Sequence, residues 1–298
     1  MKDLEAGSRH SIFVTRSNQI YGCGDANQGQ LGLGDANRDR VIEPTPVMSA
    51  LQGMSIHQVS CGKYHTLLLT NNPRESNRRE LWACGANNYD QLGNNSNQNQ
   101  FSPVRVDPRL PEDKMSQSGR SHNFKQVSAW HANAAVTEEG IMYVWGSGIF
   151  GEFKRPRKVK LQNNIKVQSV NVGGSFIVIV DQDSKIVVWG SNSNGEIGVG
   201  DGKVRNHPTR LETIEDKLIS KVGVGGSFAF AIGKTTSRLD NSIFADDAAA
   251  TVNAPVEEQR SHISGIGRNG ASNIIEDVKE TENERNNRSI HSLEEQLQ

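Results

Sequence analysis

Residues 59–70 read VSCGKYHTLLLT and residues 81–93 read LWACGANNYDQLG, and these two stretches decide the fold. In the first, a short apolar run closes on Gly62, two residues follow, and a second apolar run starts at His65. In the second, an apolar run closes on Gly85 and is followed by a polar segment ending in Gln91, Leu92 and Gly93. Runs of this length are too short for helices. They are rich in apolar residues, and Gly, Asn and Asp lie between them, so they read as strands joined by tight turns.

Working outward, the same pattern recurs. Tyr21-Gly-Cys-Gly24, Trp82-Ala-Cys-Gly85, Tyr143-Val-Trp-Gly146 and Val187-Val-Trp-Gly190 superimpose. Their closing glycines, Gly24, Gly85, Gly146 and Gly190, stand 61, 61 and 44 residues apart. Seven residues past each lies an apolar side chain, Leu31, Leu92, Phe153 or Ile197. Upstream, His10 to Thr15, His65 to Thr70 and Phe176 to Asp181 share length and apolar character. A strand ending in glycine precedes them at Gly7, Gly62, Gly173 and Gly225; the third unit reads Val127-Ser-Ala-Trp130 and has lost that glycine. Downstream, Pro46, Pro103, Pro156 and Pro208 are predicted to open a further strand in each unit.

One four-stranded sheet takes about 40 to 50 residues, so each period fits one propeller blade plus an insertion. The sequence therefore predicts an all-β protein: a β-propeller of four-stranded antiparallel blades, about four in number, with one more opening strand at 222–232. Leu31, Leu92, Phe153 and Ile197 are predicted to plug the gaps between neighbouring blades. Residues 1–234 form the predicted repeat domain. Residues 235–298 are predicted to be a disordered acidic tail, with short helices at 273–285 and 289–298.

Composition narrows the function classes. The chain has 298 residues, 33 Lys+Arg against 34 Asp+Glu, and 29 glycines. The charge is uneven: the last 64 residues hold 6 Lys+Arg and 12 Asp+Glu, which leaves a positive body and a negative tail. A near-zero total argues against nucleic acid as the obligatory partner, because phosphate binding needs a concentrated positive field. The longest apolar runs fall far short of the roughly 20 residues of a membrane-spanning helix, so no membrane role is expected. Three cysteines suit a reducing compartment, and an intracellular location, cytoplasmic or nuclear, is expected.

Catalytic and ligand motifs find little support. Gly265-Ile-Gly267-Arg-Asn-Gly270 matches the dinucleotide fingerprint, but no strand precedes it and only 28 residues follow. Cys61 and His65, four residues apart, raise metal binding on one face of a strand. However, no further pair completes a ligand set, and His65 shares its repeat position with His10. No nucleophile elbow appears. No catalytic residue, metal or cofactor is assigned.

Three segments interrupt the period: 71–80, 107–123, and the shortened loop of the third unit at 153–160, FKRPRKVK. Propellers bind partners through such segments on a rigid frame, so the candidate partner-binding residues are Lys154, Arg155, Arg157, Lys158 and Lys160, together with Arg74, Arg78 and Arg79.

The strings VSCGKYHTLLLT, LWACGANNYDQLG and VVWGSNSNGEIGVGD resemble the repeats of the regulator of chromosome condensation family, over about residues 4–234. The resemblance implies a β-propeller, usually of seven blades, so these units alone do not close that ring. Further blades or another chain are the expected completion. It also implies protein partners: a non-catalytic interaction module, with guanine-nucleotide exchange on a small GTPase, or a regulatory piece of a larger kinase or ubiquitin ligase, as the alternatives.

Overall fold

The computed structural model describes residues 1–35, 39–47, 51, 53–75, 78–107, 123–148 and 150–235. The chain divides into two units, Met1–Leu239 and Asp240–Gln298. The expected tail helices at 273–285 and 289–298, and the Gly265 motif, lie outside the described residues, as does most of the 107–123 insertion.

Four antiparallel sheets of four strands follow one another in chain order, each in the order first, second, third, fourth. The first contains β1 (Asp3–Ala6), β2 (His10–Val14), β3 (Ile20–Gly24) and β4 (Val41–Pro46). The second contains β5 (Ser55–Cys61), β6 (His65–Asn71), β7 (Arg79–Gly85) and β8 (Gln100–Val106). The third contains β9 (Phe124–Ala129), β10 (Asn133–Thr137), β11 (Met142–Gly148) and β12 (Gly151–Lys158). The fourth contains β13 (Val167–Val172), β14 (Phe176–Asp181), β15 (Ile186–Gly190) and β16 (Arg205–Arg210). A two-stranded sheet, β17 (Lys217–Val224) and β18 (Ala229–Thr235), begins a fifth blade.

Local chemistry sets these hairpins. Between the second and third strands the turn runs over Thr15, Thr137 or Asp181, and its fourth residue is left-handed: Asn18 (φ 65°), Gly140 (φ 77°) or Ser184 (φ 60°). The side chain at the turn's start caps it. Thr15 Oγ1, Thr137 Oγ1 and Asp181 Oδ1 accept the amides of Gln19, Ile141 and Lys185 at 3.0, 3.2 and 2.8 Å. A left-handed residue closing a four-residue turn matches the right-handed twist of the flanking strands.

The middle strands β6, β10, β14 and β15 are buried almost throughout, because each sheet packs one face forward and one back. Ile12, Val14 and Leu31 of blade 1 meet Ile56, Val59 and Leu68 of blade 2. Leu67, Leu69 and Leu92 meet Phe124, Tyr143 and Trp145 of blade 3. Ala134, Val136 and Phe150 meet Ile177, Ile179 and Trp189 of blade 4, and Phe176, Val178 and Ile197 meet Ile219 and Val222 of β17. Fully burying one such aliphatic side chain is worth about 1.5–3 kcal/mol, so these four layers carry most of the stability.

Three expectations change in detail. The proline shared by the outer strands is Pro44, not Pro46. Tyr21 pairs with Pro46 where Trp82, Tyr143 and Val187 pair with Arg105, Lys158 and Arg210, which places Pro44 level with Pro103, Pro156 and Pro208. These prolines do not open the strands. They sit inside them, where each register shifts, in a bulge that needs no N–H donor.

Phe153 stands opposite Gly146 in β12, as Val41, Gln100 and Arg205 stand opposite Gly24, Gly85 and Gly190. It is half-buried beside two clusters. The fully packed ring between blades 3 and 4 is that of Phe150, 4.7 Å from Trp189. The connecting loop of the third blade is eight residues shorter than that of blades 2 and 4, so counting from the closing glycine overshoots the plug. Finally, Cys61 and His65 face opposite sides of blade 2. Cys61 packs towards blade 1, whereas His65 reaches Asn133 of blade 3.

The two-stranded fifth sheet leaves apolar side chains in solvent. All of β18 is exposed, with Phe230 and Ile232 at 55% each, and Phe228 just before it is at 61%. Gly32 and Gly93, in the turns of blades 1 and 2, lie against Cys84 and Pro103, and against Trp145 and Pro156, of the following blade. The equivalent Gly198 of blade 4 has nothing within 4 Å of where its Cβ would stand.

Candidate partner-binding surfaces

Neighbouring blades are locked by polar contacts as well as apolar ones. On the innermost strands, Gln58 grips Val127: its amide donates to the Val127 carbonyl (3.0 Å) and its oxygen accepts the Val127 N–H (2.9 Å). Gln126 repeats both contacts with Val170 at 2.9 Å, and Ser60 and Ser128 accept the amides of Ala129 and Val172. Buried polar groups paired in this way fix one arrangement of sheet against sheet.

A second set of links surrounds the two buried histidines. Thr66 Oγ1 donates to the Gln30 carbonyl (2.7 Å) and accepts from His10 Nε2 (3.0 Å). One blade on, His65 Nε2 donates to Asn133 Oδ1 (2.6 Å), and Asn133 Nδ2 and Trp145 Nε1 both donate to the Gln91 carbonyl (2.8 and 2.9 Å). Both imidazoles are therefore neutral, with the proton on Nε2. Burial, reinforced by a neighbouring imidazole, lowers the pKa of each to about 4. Burial likewise pushes the Cys84 thiol up to about 12. These are packing residues. Among the described residues, no three His, Cys, Asp or Glu side chains gather as metal ligands.

The basic segment at 153–160 lies mostly in β12, the outermost strand of blade 3, rather than in a loop. With only seven residues from Gly146 to its pairing partner Phe153, the chain turns at once and runs back along β11. Lys154, Arg155, Arg157, Lys158 and Lys160 are all exposed, and none is in an ion pair among the described residues. Arg157 lies over the Phe153 ring at 4.9 Å, which holds its guanidinium in place. Four of the five cations thus lie along β12, an edge strand whose successive side chains point to opposite faces, and Lys160 lies just past its end.

The other three candidates separate. Arg74 is exposed. Arg78 is matched locally by Glu75 at 3.2 Å. Arg79 is consumed in holding blade 2 to blade 3: it donates to the Phe124 carbonyl at 3.1 Å and pairs with Glu138, while its amide donates to Asn123. Arg78 and Arg79 are thus drawn into ion pairs, unlike the cations of β12.

A concave site missed in the sequence lies where the turns of blades 2, 3 and 4 converge. It encloses about 410 Å³, and Lys63, Tyr64, Tyr89, Trp130, Gly148 and Phe150 contribute to its walls. The signal was present in the third unit, where Trp130 replaces the repeat's glycine.

Sequential four-stranded sheets with polar and apolar locks define a β-propeller repeat protein. The match that defines the family follows from it: the regulator of chromosome condensation (RCC1) repeat matches residues 17–69, 80–129 and 185–232, and a second description of that repeat matches 1–30 and 56–91. The chain belongs to this family. It is 29% identical over 224 residues to the Arabidopsis thaliana ultraviolet-B receptor UVR8, covering 72% of this chain and 46% of that protein. It is 26% identical over 239 residues to the human E3 ubiquitin-protein ligase HERC2, covering 77% of this chain and 5% of that one. Among solved structures, human WBSCR16 superimposes with a TM-score of 0.65 at 23% identity, covering 78% of this chain and 57% of that one. Prp20p of Saccharomyces cerevisiae does so at 0.64 and 22%, covering 83% and 58%. Those two likenesses establish the fold. The chain thus spans under half of the plant receptor and a small part of the ligase. Among the described residues, no helix is long and apolar enough to cross a membrane.

Proposed function

We propose that the chain is a non-catalytic protein-interaction module that presents the basic outer strand of blade 3 to an acidic face of a protein partner. The observation behind this reading is the set of five exposed, unpaired cations in and just past β12, on a sheet locked to both neighbours. Surface cations are ordinarily interspersed with acids or drawn into ion pairs, as Arg78, Arg79, Arg105, Arg205 and Arg210 are here. The plain competing explanation is that lysines on an edge strand discourage strand-to-strand aggregation.

Affinity capture with the purified full chain, beside the variant Lys154→Glu/Arg155→Glu/Arg157→Glu/Lys158→Glu, separates the two. The interaction reading expects proteins that the wild type retains and the variant loses, with salt weakening the retention. Identical captures would assign these cations to edge protection.

The finer alternative is guanine-nucleotide exchange on a small GTPase. An exchange factor needs no covalent chemistry, only tighter binding of the nucleotide-free partner. Prp20p of Saccharomyces cerevisiae binds Gsp1p and histones, a property of that protein. Release of a fluorescent guanine nucleotide from a panel of small GTPases tests it here, and flat traces remove it. A place within a larger ubiquitin ligase is the other alternative, supported by the resemblance to HERC2.

A further inference from the structure

Three departures from the repeat meet at one place. In blade 2 the turn between the first two strands is Gly62, Lys63, Tyr64, His65. Gly62 is needed there because a Cβ would stand 2.1 Å from the His65 ring. In blade 3 the turn is one residue shorter: Trp130, His131, Ala132. Ala132 takes the place of the ring opposite the closing glycine, so a large side chain fits at Trp130. The third departure is the loop after Gly146, eight residues shorter than its counterparts in blades 2 and 4. Each change alone would be local drift. Together they open the 410 Å³ hollow, with Trp130 as one wall, Phe150 at its base and the shortened loop as its rim. Sites where a repeat breaks its own rules are where function is expected.

The walls indicate what fits. Tyr64, Trp130 and Phe150 are aromatic, and Tyr89, at 64% exposed, holds a large ring in solvent beside them. The Lys63 ammonium lies 5.4 Å from the centre of the Tyr64 ring and has no carboxylate partner among the described residues. It therefore already occupies one aromatic face with positive charge, which disfavours a cationic guest and favours an anionic one. His131 Nδ1 donates to the Gly174 carbonyl at 2.9 Å, which fixes the turn. Gly148, in the rim, leaves open space, with nothing within 4 Å of its would-be Cβ. The volume lies at the small end of the ~300–1,000 Å³ of ligand sites.

We infer that this hollow is a docking site for a short extended peptide segment that places one apolar or aromatic side chain among Tyr64, Tyr89 and Trp130 and a flanking carboxylate on Lys63. The inference rests on the interaction-module reading but uses a different surface from β12.

A random dodecapeptide display library, selected on the full chain, tests it. Recovered peptides are expected to share an apolar residue beside an acid. Measured by fluorescence anisotropy, their affinity should fall at least tenfold in Gly148→Trp, which fills the hollow, and in Lys63→Glu. It should stay within twofold in the β12 variant, and thermal unfolding will show whether each variant is folded. If Gly148→Trp does not fold, Lys63→Glu decides. Peptides lost only in the β12 variant would overturn the site while supporting the module. Recovery of no peptide, of basic peptides, or of peptides indifferent to both pocket substitutions would also overturn it, leaving the module to be judged by differential capture.

Discussion

Gly62→Ala should be among the most damaging single-methyl additions in the frame. Gly62 is not in the left-handed region, so alanine meets no backbone penalty there. The cost is entirely the His65 ring, whose Cε1, Nδ1 and Nε2 would lie 2.1, 2.5 and 2.7 Å from the new Cβ. Ordinary contact begins near 3.4 Å, so the ring must retreat by more than 1 Å, and at 0% exposure it has nowhere to go. Retreat also stretches the 2.6 Å bond to Asn133. Overpacking of this kind costs about 1–3 kcal/mol, and an unsatisfied buried acceptor costs about 1–3 more. The expected loss is about 2–6 kcal/mol. At roughly 2–4 °C per kcal/mol for a domain of this size, the melting temperature should drop by roughly 4–24 °C. The control is written in blade 3, where Trp130 and Ala132 coexist. In a His65→Ala background, Gly62→Ala should cost less than about 0.5 kcal/mol, which a double-mutant cycle in urea would show. Additive losses, or a Gly62→Ala protein as stable as the wild type, would refute this explanation of the Gly-x-x-His pattern.

Other consequences follow from the same contacts. His10 and His65 are depressed to about 4 from an ordinary 6.5, so they bind more protons unfolded than folded between those values. Their contribution is present above pH 6.5 and is lost as pH falls towards 4, by about 3 kcal/mol each at ~1.4 kcal/mol per unit. Urea titrations at pH 7.5 and 4.5 should show the loss, and His10→Phe, which copies Phe176, should reduce it by about half. Trp145 donates to the Gln91 carbonyl, whereas the buried Trp189 Nε1 has no partner among the described residues. Trp145→Phe should therefore cost about 1 kcal/mol more than Trp189→Phe in chemical denaturation. Ile232→Lys, on the exposed β18 edge, should lower self-association in sedimentation velocity while leaving the melting temperature within about 2 °C.

The sequence made the blades legible because their determinants are periodic. A closing glycine, an apolar run and a Thr or Asp before each tight turn recur wherever the same backbone conformation does, so Gly24, Gly85 and Gly190 mark the ends of three third strands, while β11 runs two residues past Gly146. Counting fails where length changes. The two prolines of 41–46 are indistinguishable by offset, and only strand register identifies Pro44. A deletion within the third loop made Phe153 stand where Phe150 belongs. The density of cations in β12 is visible in the chain. That Arg79 is consumed by Glu138 and the Phe124 carbonyl is not, since that pairing spans two blades. The hollow at Trp130 was missed for the opposite reason: its signal is the missing glycine, which matters only once the ring that glycine normally accommodates is known.

The most direct test of the interaction account is amide hydrogen exchange of the full chain with and without a partner retained by the wild type and lost by the four-fold β12 variant. Protection on binding should concentrate in 151–160, with any second footprint at 62–64, 89 and 130–132, and the locked strands β5, β9 and β13 should be unchanged. Protection confined to blade 1 or to the β17–β18 hairpin, with 151–160 exchanging as before, would contradict it.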